Sequence, residues 1–97
     1  MNYSVHPKAE QELADAAAFY HQAVNLRFAS KFLDEFERVA QLLAGNPGIG
    51  TPFDLPQRIY PFKVFPYSAI YKPTDHGVRV LVVRHQNRAP NYGQGRS

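Results

Sequence analysis

The side chains best suited to chemistry lie in the stretch RHQNRAPNYGQGRS, residues 84–97. It follows directly on VRVLVV and contains three arginines, one histidine and one tyrosine, but no acid. Histidine exchanges a proton near neutral pH, and arginine holds a phosphate through charge-assisted hydrogen bonds. His85, Arg88 and Tyr92 are therefore the candidates for acid–base catalysis on RNA. The alternative is that His85 only hydrogen-bonds at the end of a strand and fixes the tail.

No other motif in the sequence points to a reaction or to a bound cofactor. The chain lacks a glycine-rich dinucleotide loop, a P-loop, the H-E-x-x-H zinc motif and the G-x-S-x-G nucleophile motif. Its four histidines, at positions 6, 21, 76 and 85, do not have the spacing of zinc ligands. We therefore predict no metal site and no cofactor.

Basic residues are concentrated in the second half of the chain. Residues 1–45 contain six acids and four lysines or arginines, whereas residues 46–97 contain two acids and seven lysines or arginines. This asymmetry indicates a basic face that meets nucleic acid or an acidic protein segment, unless the charge serves solubility alone. The predicted partner-binding residues are Arg58, Lys63, Arg79, Arg84, Arg88 and Arg96.

Length and composition predict one globular domain over residues 1–97. Hydrophobic residues make up 44% of the chain and charged residues 20%, which is typical of a folded protein rather than a disordered one. No apolar run is long enough to span a membrane, and the first ten residues do not resemble a secretion signal. The absence of cysteine fits a reducing compartment. We therefore expect a soluble cytoplasmic protein without membrane association.

Hydrophobic spacing predicts two helices that form an antiparallel hairpin. Pro7 suits the first position of a helix that extends to about residue 22, with His6 as its cap. After a short break, apolar residues recur at i, i+3, i+4 and i+7 through residues 29–43, which predicts a second helix with an aromatic core face. Gly45 is predicted as the residue just after this helix.

Strand signals occur once before the helices and three times after them. Residues 46–56 contain three prolines and two glycines and are predicted as a loop. Pro61 lies inside the first run after this loop and places that strand at a sheet edge or a bulge. The predicted strands are residues 2–5, 57–65, 67–72 and 78–85. The order β-α-α-β-β-β predicts an α+β fold, with a helical hairpin packed on a small, mainly antiparallel sheet.

Short segments in this order resemble the RelE/ParE superfamily, the toxins of type II toxin–antitoxin modules. The matching pieces are Pro7-x-Ala9, Asn46-Pro47, Tyr67-x-x-x-Tyr71 and His85-x-x-Arg88. The similarity spans almost the whole chain and implies the RelE/ParE-like toxin fold. It also implies that the end of the last strand and the tail line a basic concave face, where a target or an antitoxin binds.

The superfamily has two main activities, and the residues favour the non-enzymatic one. RelE-like members cut mRNA in the ribosome, and the resemblance places basic residues where this chain has Ile59, Pro61 and Ser68. Gln86 likewise stands where such members carry an arginine. The alanine-rich first helix and the H-x-x-R ending are more similar to ParE-like members, which bind DNA gyrase and do not cleave RNA.

The resemblance therefore implies a ParE-like toxin that inhibits growth by binding DNA gyrase and is neutralised by a cognate antitoxin. The alternative is a ribosome-dependent mRNA endonuclease that uses His85, Arg88 and Tyr92. A DNA-binding module is a third class, but the sequence shows no basic recognition helix for it. In this family operator DNA is bound through the antitoxin, so we expect the toxin to reach that DNA only as part of the complex.

Overall fold

The computed structural model describes residues 2–97, in which two helices pack on a five-stranded sheet. The elements are β1 (Asn2–Val5), α1 (Pro7–Ala23), α2 (Leu26–Gly45), β2 (Thr51–Pro52), β3 (Arg58–Pro61), β4 (Tyr67–Thr74) and β5 (Gly77–His85). The strand order is β1-β5-β4-β3-β2, with β1 parallel to β5 and the other pairs antiparallel. The predicted order and the mainly antiparallel sheet are confirmed, and the short β2 lies inside the predicted loop.

Side-chain caps set the start of both helices. The Nδ1 atom of His6 accepts a hydrogen bond from the backbone N–H of Lys8 at 3.0 Å, as the predicted cap requires. In α2 the Oδ1 atom of Asn25 accepts from the backbone N–H of Phe28 at 2.9 Å, a cap that the sequence analysis missed. Gly45 was predicted to follow α2 but is its last residue, and Asn46 is the C-cap.

The helices bury one face each against the sheet, and a group of aromatic rings lies within that contact. Phe32 on α2 is fully buried. The centroid of its ring lies 5.0–5.8 Å from those of Tyr20, Phe62, Phe65 and Tyr67. These rings come from α1, from the segment after β3 and from β4. The predicted aromatic stripe of the second helix is therefore the centre of the core.

The prediction of a strand over residues 57–65, at the sheet edge or bulged, was wrong in its length and position. β3 ends at Pro61 and pairs with β2 on one side and β4 on the other. Val64 has a φ of 72°, a left-handed conformation that turns the chain away from the sheet. This turn carries Phe62 and Phe65 into the core. Pro61 lies beyond the last β2–β3 pair, so its missing N–H interrupts no pairing with β2.

Register assigns each residue of β4 and β5 to one face of the sheet, because cross-strand partners share a face. The inner face, toward the helices, carries the pairs Ala69–Val83, Tyr71–Val80 and Pro73–Val78. The outer face carries Ser68–Arg84, Ile70–Val82 and Lys72–Arg79. The register shifts between Ile70 and Tyr71, where Leu81 is the extra residue of a β-bulge.

Candidate functional site

A cleft of about 170 Å³, here the C-terminal cleft, lies where β5 ends beside α1. His85, Arg88 and Tyr92, the three candidates for catalysis, all line it. The remaining lining residues come from α1, β4 and β5: Glu12, Asp15, Ala16, Phe19, Tyr67, Val83 and Arg84. The structure thus brings the three candidates together and adds two carboxylates that the sequence analysis did not select.

His85 is fixed at the end of β5 by a backbone hydrogen bond and by an aromatic ring. Its Nδ1 atom accepts from the backbone N–H of Asn87 at 3.0 Å. The imidazole also meets the ring of Tyr67 edge-on, with the centroids 5.2 Å apart. Burial raises the pKa of Tyr67, so this neighbour stays neutral at physiological pH. Nε2 is therefore the atom of His85 through which a proton could be exchanged with a ligand.

Tyr92 is bound to Glu12, a residue of α1 that lies 80 positions earlier in the chain. The Tyr92 hydroxyl donates to Oε2 of Glu12, and this hydrogen bond, with burial, raises the pKa of Tyr92. A phenol held in this way keeps its proton at neutral pH and is poorly placed to act as a base. Arg88 is exposed, and its guanidinium carbon lies 4.7 Å from the centroid of the Tyr92 ring. The cleft therefore suits anion binding by Arg88 better than proton transfer by Tyr92.

Two of the predicted partner-binding arginines form hydrogen bonds with other residues of the same chain. Arg96 forms an ion pair with Glu12 at 2.9 Å, and its side chain is only 12% exposed. Arg84 uses Nη1 to contact the carbonyl oxygens of Ala89 and Pro90, at 3.2 Å and 3.0 Å. The charge of Arg96 is therefore neutralised by Glu12, whereas the carbonyl groups that Arg84 contacts do not neutralise its charge.

Arg58 and Lys63 lie away from the other predicted basic residues. Arg58 pairs across the sheet with Tyr71, which places it on the inner face, and its Nη1 atom donates to the carbonyl of Gly50 at 2.8 Å. Lys63 lies in the exposed turn after β3, where its backbone N–H donates to the Glu35 carboxylate at 2.7 Å. These two cations therefore do not share a surface with Arg79 and Arg84.

The outer face of the sheet is basic, and its charge includes a residue that the sequence analysis overlooked. Lys72 lies directly opposite Arg79 in the β4–β5 pair, and Arg84 lies farther along β5 on the same face. None of the described strands contains an aspartate or a glutamate. Like charges directly opposite one another destabilise a sheet. Lys72 and Arg79 therefore form a cationic pair whose repulsion an anionic group would relieve, and the alternating strand pattern was the signal that could have identified Lys72.

A second cleft of about 260 Å³, the outer cleft, lies between the segment after β5 and the loop after β2. Its floor is apolar and includes Ile70 and Val82 from the sheet, with Phe53 and Tyr92 beside them. Tyr92 also lines the C-terminal cleft, so the two clefts share this residue. The guanidinium carbon of Arg84 lies 5.3 Å from the centroid of the Phe53 ring, so this cation adjoins the cleft, whose lining also includes Asp54. An apolar floor beside Arg84 suits a partner with apolar side chains and an acid that meets this arginine.

Residues 2–97 contain no group of three or more histidine, cysteine or acidic side chains that could hold a metal ion. Neither of the two described helices is long and apolar enough to cross a membrane.

Comparison with known proteins gives a family match and several similar solved structures. A family model described as the ParE toxin of the type II toxin–antitoxin system parDE matches residues 3–90. No protein of curated function matches the chain. A chain from the structure "Chromosomal ParDE TA system from P. aeruginosa" is similar, with a TM-score of 0.75 and 20% sequence identity over 88% of this chain and 95% of that one. At this identity the similarity concerns the fold, and it confirms the predicted fold class.

Proposed function

Because the chain belongs to the ParE toxin family of type II toxin–antitoxin systems, we propose that it inhibits growth by binding DNA gyrase and is neutralised by a cognate antitoxin. It acts in the cytoplasm as a binding inhibitor, not as an enzyme. It reaches operator DNA only through the antitoxin. The family assignment supports the toxin role, and the residues of the outer face and of the C-terminal cleft support the finer statements.

The basic outer face is the observation that supports neutralisation by an acidic partner. Lys72, Arg79 and Arg84 project from one side of a sheet whose strands carry no acid. The outer cleft adjoins Arg84, which lies over the ring of its lining residue Phe53. An antitoxin segment with acidic and apolar side chains would neutralise the charge and fill the cleft at the same time.

The residues near the C-terminal cleft support gyrase binding over RNA cleavage. Metal-free cleavage by 2′-OH attack requires a base, an acid and a cation on the phosphate together. The resemblance places basic residues of RelE-like members at Ile59 and Ser68. In this chain Ile59 packs against the apolar residues of the outer face and Ser68 is buried, so neither position supplies a cation. Tyr92 is bound to Glu12. Of the three candidates selected from the sequence, only His85 and Arg88 are left for the chemistry.

A paired assay with purified protein tests the proposal. We expect the protein to inhibit supercoiling of relaxed plasmid by DNA gyrase and to leave mRNA on translating ribosomes intact. Addition of the protein encoded by the neighbouring reading frame should restore supercoiling. Inhibition of translation without any effect on gyrase would contradict the proposed target but would leave the toxin family unaffected.

Association with the antitoxin is expected to slow as salt increases. Charges at an interface act mainly on the association rate, and mobile ions screen them over about 8–10 Å at physiological salt. Stopped-flow measurements between low and high ionic strength should show a clearly falling rate constant and a much smaller change in the dissociation rate. An association rate independent of salt would show that the basic outer face does not guide binding.

The C-terminal cleft gives one specific reason to test RNA cleavage as a second candidate function. It places His85 and Arg88 about a common cavity, which is the minimum for an acid–base group beside a phosphate-binding cation. The two functions therefore differ in what they require of His85.

We expect His85→Gln to retain growth inhibition on induction in cells. Glutamine keeps a hydrogen-bonding side chain but removes the acid–base function of the imidazole, which a binding inhibitor does not need. A ribonuclease would instead lose about 10²–10⁴-fold in cleavage rate. Primer extension on a translated message provides the second readout. Codon-spaced cuts that appear with the native protein and vanish with His85→Gln would establish the endonuclease.

A further inference from the structure

Residues 89–97, here the strap, lie along β5 without joining the sheet. Within the described residues, the backbone hydrogen bonds of the strap are internal turns: Tyr92 N–H to Ala89 O at 2.9 Å and Gln94 N–H to Asn91 O at 3.0 Å. Strands gain their stability from ladder hydrogen bonds, and the strap has none. Its attachment to the rest of the molecule therefore depends on side-chain contacts.

Glu12 makes the central attachment of the strap. Its carboxylate accepts from the Tyr92 hydroxyl and from both terminal nitrogens of Arg96, at 2.9 Å and 3.0 Å. Oε1 also accepts from the backbone N–H of Val83 at 3.0 Å, and Arg96 donates to the carbonyl of Leu81 at 3.0 Å. Glu12 and Arg96 thus occupy the edge of β5 beyond the point where β1 ends, and they connect that edge, α1 and the strap.

The contacts on either side of Glu12 are weaker, because one joins an arginine to neutral carbonyl groups and the other is long. Arg84 contacts the carbonyl oxygens of Ala89 and Pro90 at the beginning of the strap. Arg79 donates from Nε to the carbonyl oxygen of Ser97 at 3.4 Å, which is long for a hydrogen bond. The pair of Arg96 with Glu12 is the one side-chain ion pair of the strap among the described residues.

The strap covers an apolar area on the outer face. Ile70, Leu81 and Val82 are each at most 2% exposed, although they face away from the helices. Tyr92 packs against this cluster. The backbone of Gly93 lies so close that an added Cβ would be 2.6 Å from Cγ2 of Val82. Displacement of the strap would therefore expose buried apolar side chains of the sheet.

We propose that the strap is a releasable cover over the outer face, with Glu12 as its latch. The core between the helices and the inner face does not include the strap, so the strap can open while the rest of the domain stays folded. In the closed state the chain itself occupies the apolar area beside Lys72, Arg79 and Arg84. Opening makes that area accessible and frees the charge of Arg96. This device does not depend on which target the toxin binds.

Amide hydrogen exchange of the whole chain tests the latch through Glu12→Gln, with Glu10→Gln as the matched control. Both substitutions remove one negative charge from α1, but Glu10 is exposed and makes no hydrogen bond with the strap. Loss of a charged hydrogen-bond network should speed exchange in residues 89–97 by about 10–100-fold in the Glu12 variant alone. Binding of an apolar fluorescent dye should rise in parallel, while exchange in α2 and β4 stays unchanged.

Gly93→Ala provides an independent way to open the strap if Glu12→Gln folds poorly. Its Cβ would collide with Val82, and the φ of 79° at this position disfavours a side chain. We expect the same local increase in exchange and in dye binding. Unchanged exchange of the strap in Glu12→Gln would overturn the latch. Equal acceleration in the core and the strap, in either variant that folds, would overturn the releasable cover.

Discussion

Replacing Phe32 by alanine is expected to lower the free energy of unfolding by about 3–5 kcal/mol. The side chain is fully buried and contacts rings from α1, β4 and the segment after β3. Removing it forfeits the transfer free energy of the ring and leaves a cavity between four aromatic neighbours that cannot all move inward. The loss is a large part of the stability of a domain of this size.

Chemical denaturation monitored by circular dichroism measures this effect, with Leu33→Ala as the control. Leu33 is the next residue on α2, is 43% exposed and lies outside the core clusters. We expect it to cost less than about 1 kcal/mol. A loss of similar size in both variants would contradict the assignment of Phe32 to the core face and of Leu33 to the exposed face, because alanine has the highest helix propensity and does not itself destabilise α2. A loss below about 1 kcal/mol for Phe32→Ala would contradict the packing of this face of α2 against the sheet.

Reversing Lys72 and Arg79 together to glutamate should slow association with the antitoxin by about 10²–10³-fold at low salt. This is the difference between electrostatically guided association and the rate of neutral surfaces. Both side chains lie on the outer face, directly opposite one another, and glutamate is compatible with a partly exposed strand position. The reversed pair would repel the acidic segment that the native pair attracts.

The matched control reverses Arg27 and Lys31, two exposed cations at the start of α2. It changes the net charge by the same amount but leaves the outer face unaltered. Surface plasmon resonance at several salt concentrations should show a small effect for this control and convergence of the native and Lys72/Arg79 variants at high salt. Equal slowing by both double variants would assign the attraction to net charge alone.

The sequence by itself determined both helices and the order of the main elements, because these depend on local spacing. The apolar period of α2, Pro7 at the start of α1 and the prolines and glycines of residues 46–56 each act within a few residues. His85, Arg88 and Tyr92 were selected by residue type in one short segment, and the structure places all three on one cleft. The family resemblance was carried by segments of the same kind and is confirmed by the family match.

Only the tertiary structure decided which side chains share a surface. A shift of one residue in strand register moves every side chain to the other face, and the bulge at Leu81 makes such a shift within β5. The register of strand pairing therefore determines that Lys72 lies opposite Arg79 and that Arg58 lies on the inner face. The ion pair of Glu12 with Arg96 joins residues 84 positions apart. No local pattern encodes such a contact, since it forms only when helix packing and strand pairing have brought both ends of the chain together.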